Sequence, residues 1–179
     1  MSIPAAPAEP FAIASTVLTL FEELHDQVRR EIEGLDDDGL NWVPDAGANA
    51  VATIVTHIVG SEAETLRCVA GVTGARDRAS EFVGSRRYRA DILGELRTAD
   101  ALIENVRSEI DAHRLQTVLA LPTLPPEERR TGLTWLVGNY GHAREHVGHI
   151  QLTKQLYLSG SPEPSTGGAH GGRGTRQKG

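Results

Sequence analysis

Three of the seven histidines in the sequence lie within the segment HAREHVGHIQ, which runs from His142 to Gln151. An α-helix advances about 100° per residue, so His146 and His149 project within about 40° of the direction of His142. Neutral imidazoles are common ligands of transition metals. The spacing therefore indicates either metal ligands or one polar face of an ordinary helix.

The same face of this predicted helix also carries Trp135 and Asn139, whereas Arg144, Glu145 and Lys154 project in other directions. A solvent-exposed stripe normally carries charged side chains, and this one instead continues into a large apolar residue. We therefore predict that the histidine stripe faces the protein interior. Buried imidazoles need hydrogen-bond or metal partners to offset the loss of hydration.

A further histidine, His57, stands alone in the apolar segment VATIVTHIVGSE. It lies near Gly60, whose small size allows a neighbouring helix to come close. A histidine from this second helix can meet the stripe if the two helices face each other. From the residues alone, a metal site and a histidine cluster satisfied within the core remain two open alternatives.

The residues His142 to His146 also match H-x-x-E-H, a pattern of zinc peptidases in which the glutamate is the general base. Such a site needs a further ligand, and the only glutamate after the motif is Glu163, within a segment rich in Gly, Pro and Ser. Glu145 is also expected to point away from the mean direction of the histidines, toward solvent or an arginine. These observations argue against the peptidase interpretation.

The other histidines and the single cysteine are predicted to lie outside any site. His25 lies beside the apolar stripe of the first predicted helix and is expected at the surface. His113 is interpreted as a cation near a helix C-terminus, and His170 as a solvated residue of the C-terminal tail. Cys68 falls within an apolar helical pattern, so we expect a buried, unreactive thiol.

Length and hydrophobic periodicity predict one all-α domain. The chain has 179 residues, which suffice for one core and are too few for two comfortable domains. Apolar residues recur three or four apart in four segments, at about 11–34, 49–72, 88–113 and 131–158. No alternation typical of strands competes with them. We predict a four-helix bundle, a fold that can hold a site between facing helices.

The predicted bundle comprises residues 11–158. Residues 1–10 form a Pro/Ala-rich arm, predicted to be flexible, and residues 159–179 a Gly/Pro/Ser-rich tail, predicted to be disordered. Asn49 and Thr131 are candidate N-caps of the second and fourth helices. The segment HRLQTVLALPTLPPEERR is predicted to form a long crossing, interrupted by proline, between the third and fourth helices.

Charge and hydropathy restrict the expected partners. The formal net charge is −6 with a sequence pI near 5.6, and no long basic run is present, so we expect no nucleic-acid surface. No apolar run approaches the roughly 18 residues of a membrane span, and the first ten residues lack the features of a signal peptide. We therefore expect a cytoplasmic protein with no membrane partner.

Two segments together carry a family resemblance: LNWVPDAGANAVATIVTHIVGSE, Leu40 to Glu62, and TGLTWLVGNYGHAREHVGHIQLTKQL, Thr131 to Leu156. They resemble the DinB/YfiT-like superfamily, whose members include mycothiol-dependent maleylpyruvate isomerase and bacillithiol transferases. The resemblance extends over about residues 11–157. It implies a four-helix bundle, commonly a homodimer.

The resemblance also implies a ligand set, in which His57 from the second helix and His142 and His146 from the last helix hold one divalent metal ion such as Zn, Ni or Mn. His149 takes the place where many relatives have glutamine, so it and Asn139 are candidates for supporting the ligands, His149 also as an alternative ligand. Packing alone is an equal alternative for both. No catalytic residue is assigned.

The implied activity is that of a metal-dependent enzyme acting on a small molecule. It activates a low-molecular-weight thiol such as mycothiol or bacillithiol, as a transferase or isomerase, or it activates water in a hydrolysis. The alternative is a non-catalytic metal-binding protein with a stress-response or interaction role.

Overall fold

The computed structural model describes residues 9–160, with side-chain environments from residue 12. Seven helices and two short strands follow one another along this part of the chain: α1 Glu9–Glu33, α2 Asp37–Asn41, α3 Val51–Ala70, α4 Arg78–Glu81, α5 Arg89–Val106, α6 Ala112–Gln116, β1 Val118–Ala120, β2 Arg129–Thr131 and α7 Gly132–Gly160. Most of the predicted N-terminal arm and C-terminal tail, including His170, lies outside the described residues. Within that range, no helix is both long and apolar enough to cross a membrane.

The four long helices α1, α3, α5 and α7 form the predicted bundle. Helix α3 packs against α7 and α5, and α1 packs against the same two helices. The buried residues form two apolar clusters, and the ring of Tyr140 packs against both. Tyr140 also meets Phe21 of α1 edge to face, with 5.7 Å between ring centroids. The prediction of a four-helix bundle is confirmed.

Two of the predicted helix boundaries are wrong. The third long helix was predicted over about 88–113, but α5 ends at Val106 and a turn separates it from the short helix α6. The side chain of Asp111 caps α6 by accepting a hydrogen bond from the backbone N–H of Arg114 at 2.8 Å. Helix α3 has Ala50 as its N-cap residue, in place of Asn49, and no side chain caps it. Thr131 is confirmed at the start of α7, since its hydroxyl accepts a hydrogen bond from the backbone N–H of Thr134 at 3.2 Å.

The crossing between α6 and α7 contains a β-hairpin that the sequence did not predict. Strands β1 and β2 pair antiparallel, with Val118 opposite Thr131. Each strand has only three residues, too few to show the alternation that identifies strands in a sequence. The indole N–H of Trp135 donates a hydrogen bond to the carbonyl of Leu119 at 2.9 Å, and this bond ties the hairpin to α7.

His25 is not at the surface, so its prediction is wrong. Its side chain on α1 is fully buried, with Nε2 2.8 Å from Glu62 Oε2 on α3 and Nδ1 2.7 Å from Asp100 Oδ1 on α5. Burial lowers the pKa of His25, but the hydrogen bonds and charges of Glu62 and Asp100 outweigh burial and raise the pKa above its usual value. The imidazolium therefore links three helices of the bundle.

Candidate metal centre

Helices α3 and α7 bring His57, His142 and His146 to one point. One nitrogen from each imidazole lies within 4.8 Å of the other two. The Nε2 atoms of His57 and His142 are 3.1 Å apart, and the three rings stand nearly perpendicular to one another with centroids 4.4 to 5.2 Å apart. The cluster consists of three imidazoles and contains no carboxylate. Such a set of nitrogen donors suits a transition-metal ion.

Helical geometry explains how α7 presents two of these side chains. His142 and His146 are four residues apart and therefore lie one above the other on one face. Ala143 and Val147, the next residue after each histidine, are buried against the core. These apolar neighbours fix the rotation of α7, so the two histidines lie half-buried at the border of the core, facing α3.

The electrostatic environment favours neutral imidazoles on α7. Burial, followed by the charges of the neighbouring histidines, lowers the pKa of His146 to about 4. Burial and then the charge of His57 also lower the pKa of His142. Both side chains are therefore uncharged at neutral pH, with a lone pair available for coordination.

His57 is oriented by a glutamate that the sequence analysis missed. Glu81, at the end of α4, accepts a hydrogen bond from His57 Nδ1 at 2.9 Å. This bond places the proton on Nδ1 and leaves the lone pair of Nε2 directed toward His142. Metal-binding histidines commonly donate their other N–H to a carboxylate in this way, which fixes the ring and raises its basicity.

Glu81 is in turn held by Arg76, whose Nε and Nη2 lie 2.6 and 2.8 Å from its two oxygens. Burial raises the pKa of Glu81, but the hydrogen bonds from Arg76 and His57 outweigh it and lower the pKa below the usual value, so Glu81 is anionic. A Cβ at Gly60 would lie 2.3 Å from Glu81 Oε1. The glycine of α3 thus admits a carboxylate from the neighbouring short helix α4.

His149 and Asn139 do not join the three converging imidazoles. His149 is exposed, contrary to the prediction that the whole stripe faces inward, and its Nδ1 is 3.3 Å from Nδ1 of His146. Asn139 is buried and donates a hydrogen bond from Nδ2 to Ser61 Oγ at 2.8 Å. The supporting roles predicted for these two residues, and the role of His149 as an alternative ligand, remain predictions.

The other candidates lie elsewhere. His113 is exposed on α6, and Glu145 of the H-x-x-E-H match is exposed on α7. Cys68 is half-buried rather than buried, and burial raises the pKa of its thiol, so it is not an activated nucleophile.

A cavity of about 270 Å³ opens beside His57 and His142. Leu121, Leu124 and Trp135 supply its apolar wall. A larger cavity of about 710 Å³ lies between α3 and α5, but none of the three histidines lines it. Of these two cavities, the smaller one therefore gives a ligand access to the histidine cluster.

A helical bundle with three converging histidines defines a class of candidate metal-binding proteins. The sequence model of the DinB superfamily matches residues 20–150, so the chain belongs to this superfamily. A comparison with curated proteins found no significant match. The resemblance seen in the sequence is thereby confirmed at the level of the family.

Two solved structures from Bacillus subtilis share the fold. YfiT, described as a probable metal-dependent hydrolase with an unusual four-helix bundle topology, has a TM-score of 0.65 and 15% identity, with 88% of this chain and 93% of YfiT covered. A DinB-like protein has a TM-score of 0.60 and 15% identity, with 83% and 94% covered. At such low identity, these likenesses establish the fold only.

The contact between Glu81 and His57 gives a testable prediction. Glu81→Gln keeps the side-chain shape but removes the charge that supports the imidazole, so the affinity for Zn²⁺ is expected to fall by roughly 10- to 100-fold. Glu95→Gln is the matched control. It removes the same charge, but Glu95 bonds Thr56 and Arg87 and contacts no histidine of the cluster. Competition with a chromophoric chelator measures the Zn²⁺ affinity of both variants. Equal affinities in Glu81→Gln and the wild type would show that Glu81 does not support the site.

Proposed function

We propose that His57, His142 and His146 bind one divalent metal ion and that the protein is a metal-dependent enzyme acting on a small molecule in the adjacent cavity. The observation that carries this proposal is the convergence of the three imidazoles at the edge of that cavity. Three protein ligands leave a coordination position for water or substrate, which is typical of catalytic rather than structural sites.

The donor set favours some metals over others. Imidazole nitrogen suits Zn²⁺ and Ni²⁺ well, whereas Mn²⁺ prefers oxygen ligands. None of the three converging side chains is a carboxylate. Of the three candidate ions Zn²⁺, Ni²⁺ and Mn²⁺, we therefore propose Zn²⁺ or Ni²⁺.

The reaction we propose is activation of a low-molecular-weight thiol or of water. A bound divalent ion would supply positive charge that lowers the pKa of either molecule toward neutrality. Glu81 holds the ring of His57 in place, and the ring of Phe82 packs beside the imidazole with 5.0 Å between the ring centroids.

Different observations support the two branches of this proposal. The description of YfiT as a probable metal-dependent hydrolase favours water. The thiol branch, with mycothiol or bacillithiol as cosubstrate, rests on the resemblance to thiol-dependent members of the superfamily. Homodimer formation and a cytoplasmic location also remain predictions.

Cobalt spectroscopy separates the branches. If the thiol branch is right, millimolar N-acetylcysteine, and mycothiol or bacillithiol more strongly, should add sulfur-to-metal charge-transfer bands to the spectrum of the Co²⁺-substituted protein. N-acetylserine, which has oxygen in place of sulfur, is the matched control and should add none. A spectrum unchanged by every thiol would contradict the thiol branch and leave hydrolysis or a non-catalytic metal-binding role.

A further inference from the structure

The cavity beside the histidine cluster carries a charge opposite to that of the whole chain. The formal net charge is −6, yet the Asp, Glu, Lys and Arg side chains lining this cavity are Arg76, Arg78, Arg130 and one carboxylate, Glu64. A concave surface with an excess of one charge concentrates ligands of the opposite charge. The lining therefore favours an anion.

Arg76 and Glu64 pair with each other, and both form further hydrogen bonds to other residues of the protein. Arg76 Nη1 donates to Glu64 Oε2 at 3.1 Å, and its other donors bind Glu81. Glu64 also accepts hydrogen bonds from the backbone N–H and the hydroxyl of Thr123, at 2.9 and 2.7 Å. This buried pair is part of the cavity scaffold, so the excess positive charge belongs to the other two arginines.

Arg78 and Arg130 are held mainly by aromatic rings. The guanidinium of Arg78 lies 5.3 Å from the ring centroid of Phe82, and that of Arg130 lies 4.8 Å from the ring of Trp135. Over the described range, Arg78 has no carboxylate within salt-bridge distance, and Arg130 has only Glu128 at 3.8 Å, with both side chains largely exposed. Stacking orients a guanidinium without using its N–H donors, so these donors remain available to a ligand.

The other residues that line the cavity indicate the chemistry of the rest of the ligand. Trp135 and Leu121 are buried and give an apolar wall. Asn139 also lines the cavity, and its buried Oδ1 accepts no hydrogen bond within the part of the chain that the structure describes. Such an orphaned acceptor costs free energy unless water or a hydroxyl or amino group of the ligand donates to it, which a carboxylate cannot do.

We propose that this cavity binds a small organic carboxylate, with Arg78 and Arg130 binding the carboxylate and the side chains of Trp135 and Leu121 contacting the apolar part. The proposal rests on the proposed function in taking the cavity beside His57 and His142 as the substrate site. In this proposal Arg78 and Arg130, which lie outside the histidine cluster, make the cavity selective for anions. Arginine suits this role because its planar donors match a carboxylate.

Benzoate and acetophenone test this assignment by calorimetry on the Zn²⁺-loaded protein, because acetophenone has a similar shape, no charge and, like benzoate, no hydrogen-bond donor. Benzoate is expected to bind about tenfold or more tightly than acetophenone, which is the gain that one charge-assisted hydrogen bond provides. Arg78→Gln and Arg130→Gln should each reduce that preference severalfold, and the double variant should abolish it, with Zn²⁺ content unchanged. Arg97→Gln, on the exposed surface of α5 and outside the cavity lining, removes the same charge and should leave the preference intact.

Two results would overturn the proposal. One is an equal effect of Arg97→Gln, which would indicate nonspecific attraction by net charge. The other is a preference that survives in the double variant but disappears when Zn²⁺ is removed, which would show that the carboxylate binds the metal directly. If no metal binds but the preference still depends on Arg78 and Arg130, the anion site stands and the proposed metal-dependent function fails.

Discussion

The variant His25→Ala is expected to lose about 3–5 kcal/mol of unfolding free energy, because it leaves buried charge without its partner. Glu62 is fully buried, its Oε2 contacts the imidazole at 2.8 Å, and its Oε1 has no other partner in the described residues. Removing the ring also removes one of the two contacts of Asp100 with α1 and leaves only its ion pair with Arg29. Urea denaturation monitored by circular dichroism measures the loss.

His113→Ala is the matched control, since His113 is exposed on α6. The free energy of unfolding of this variant should stay within about 0.5 kcal/mol of the wild-type value. A loss below about 1 kcal/mol in His25→Ala would mean that the linked carboxylates do not depend on the imidazole.

The pH dependence of this loss has a defined direction. The folded pKa of His25 is raised above its reference value of 6.5, so the imidazolium contributes its full stabilisation below that value. The contribution disappears as the pH rises through the folded pKa. Burial raises the pKa of Glu62, so the ionisation of this carboxyl also changes the stability of both proteins as the pH rises. Once Glu62 is ionised in both, the difference in stability between the wild type and His25→Ala should shrink on the alkaline side, and a difference that keeps growing there would contradict the assigned protonation state.

The positions of the histidines on α7 were predictable because they depend only on local helical geometry. The spacing of His142 and His146 places them on one face whatever surrounds the helix. Trp135 and Asn139, assigned to the same stripe, are indeed buried. His149 is exposed because the stripe leaves the core toward the C-terminal part of α7, and this depends on neighbours that the local pattern does not reveal.

The supporting network of the site could not be predicted because it is built from long-range contacts. Glu81 and Arg76 lie in the connection between α3 and α5, where no periodicity marks a residue as buried. His25 was misplaced for a related reason. Its two partners are 37 and 75 residues away in the sequence, and a histidine beside an apolar stripe looks the same whether or not carboxylates from other helices meet it.

The central claim is that one metal ion binds per chain at His57, His142 and His146. His142→Ala should reduce Zn²⁺ affinity more than about a hundredfold, since even residues that only support a ligand contribute roughly 10- to 100-fold. His149→Ala is the informative comparison, because its ring is near His146 but outside the converging cluster. Its affinity should fall much less.

Isothermal titration of chelator-treated protein with Zn²⁺ tests this claim most directly. The wild type should bind one equivalent tightly, His142→Ala should show no tight binding, and His113→Ala should match the wild type. Absence of tight binding in the wild type, or equal binding in His142→Ala, would contradict the claim.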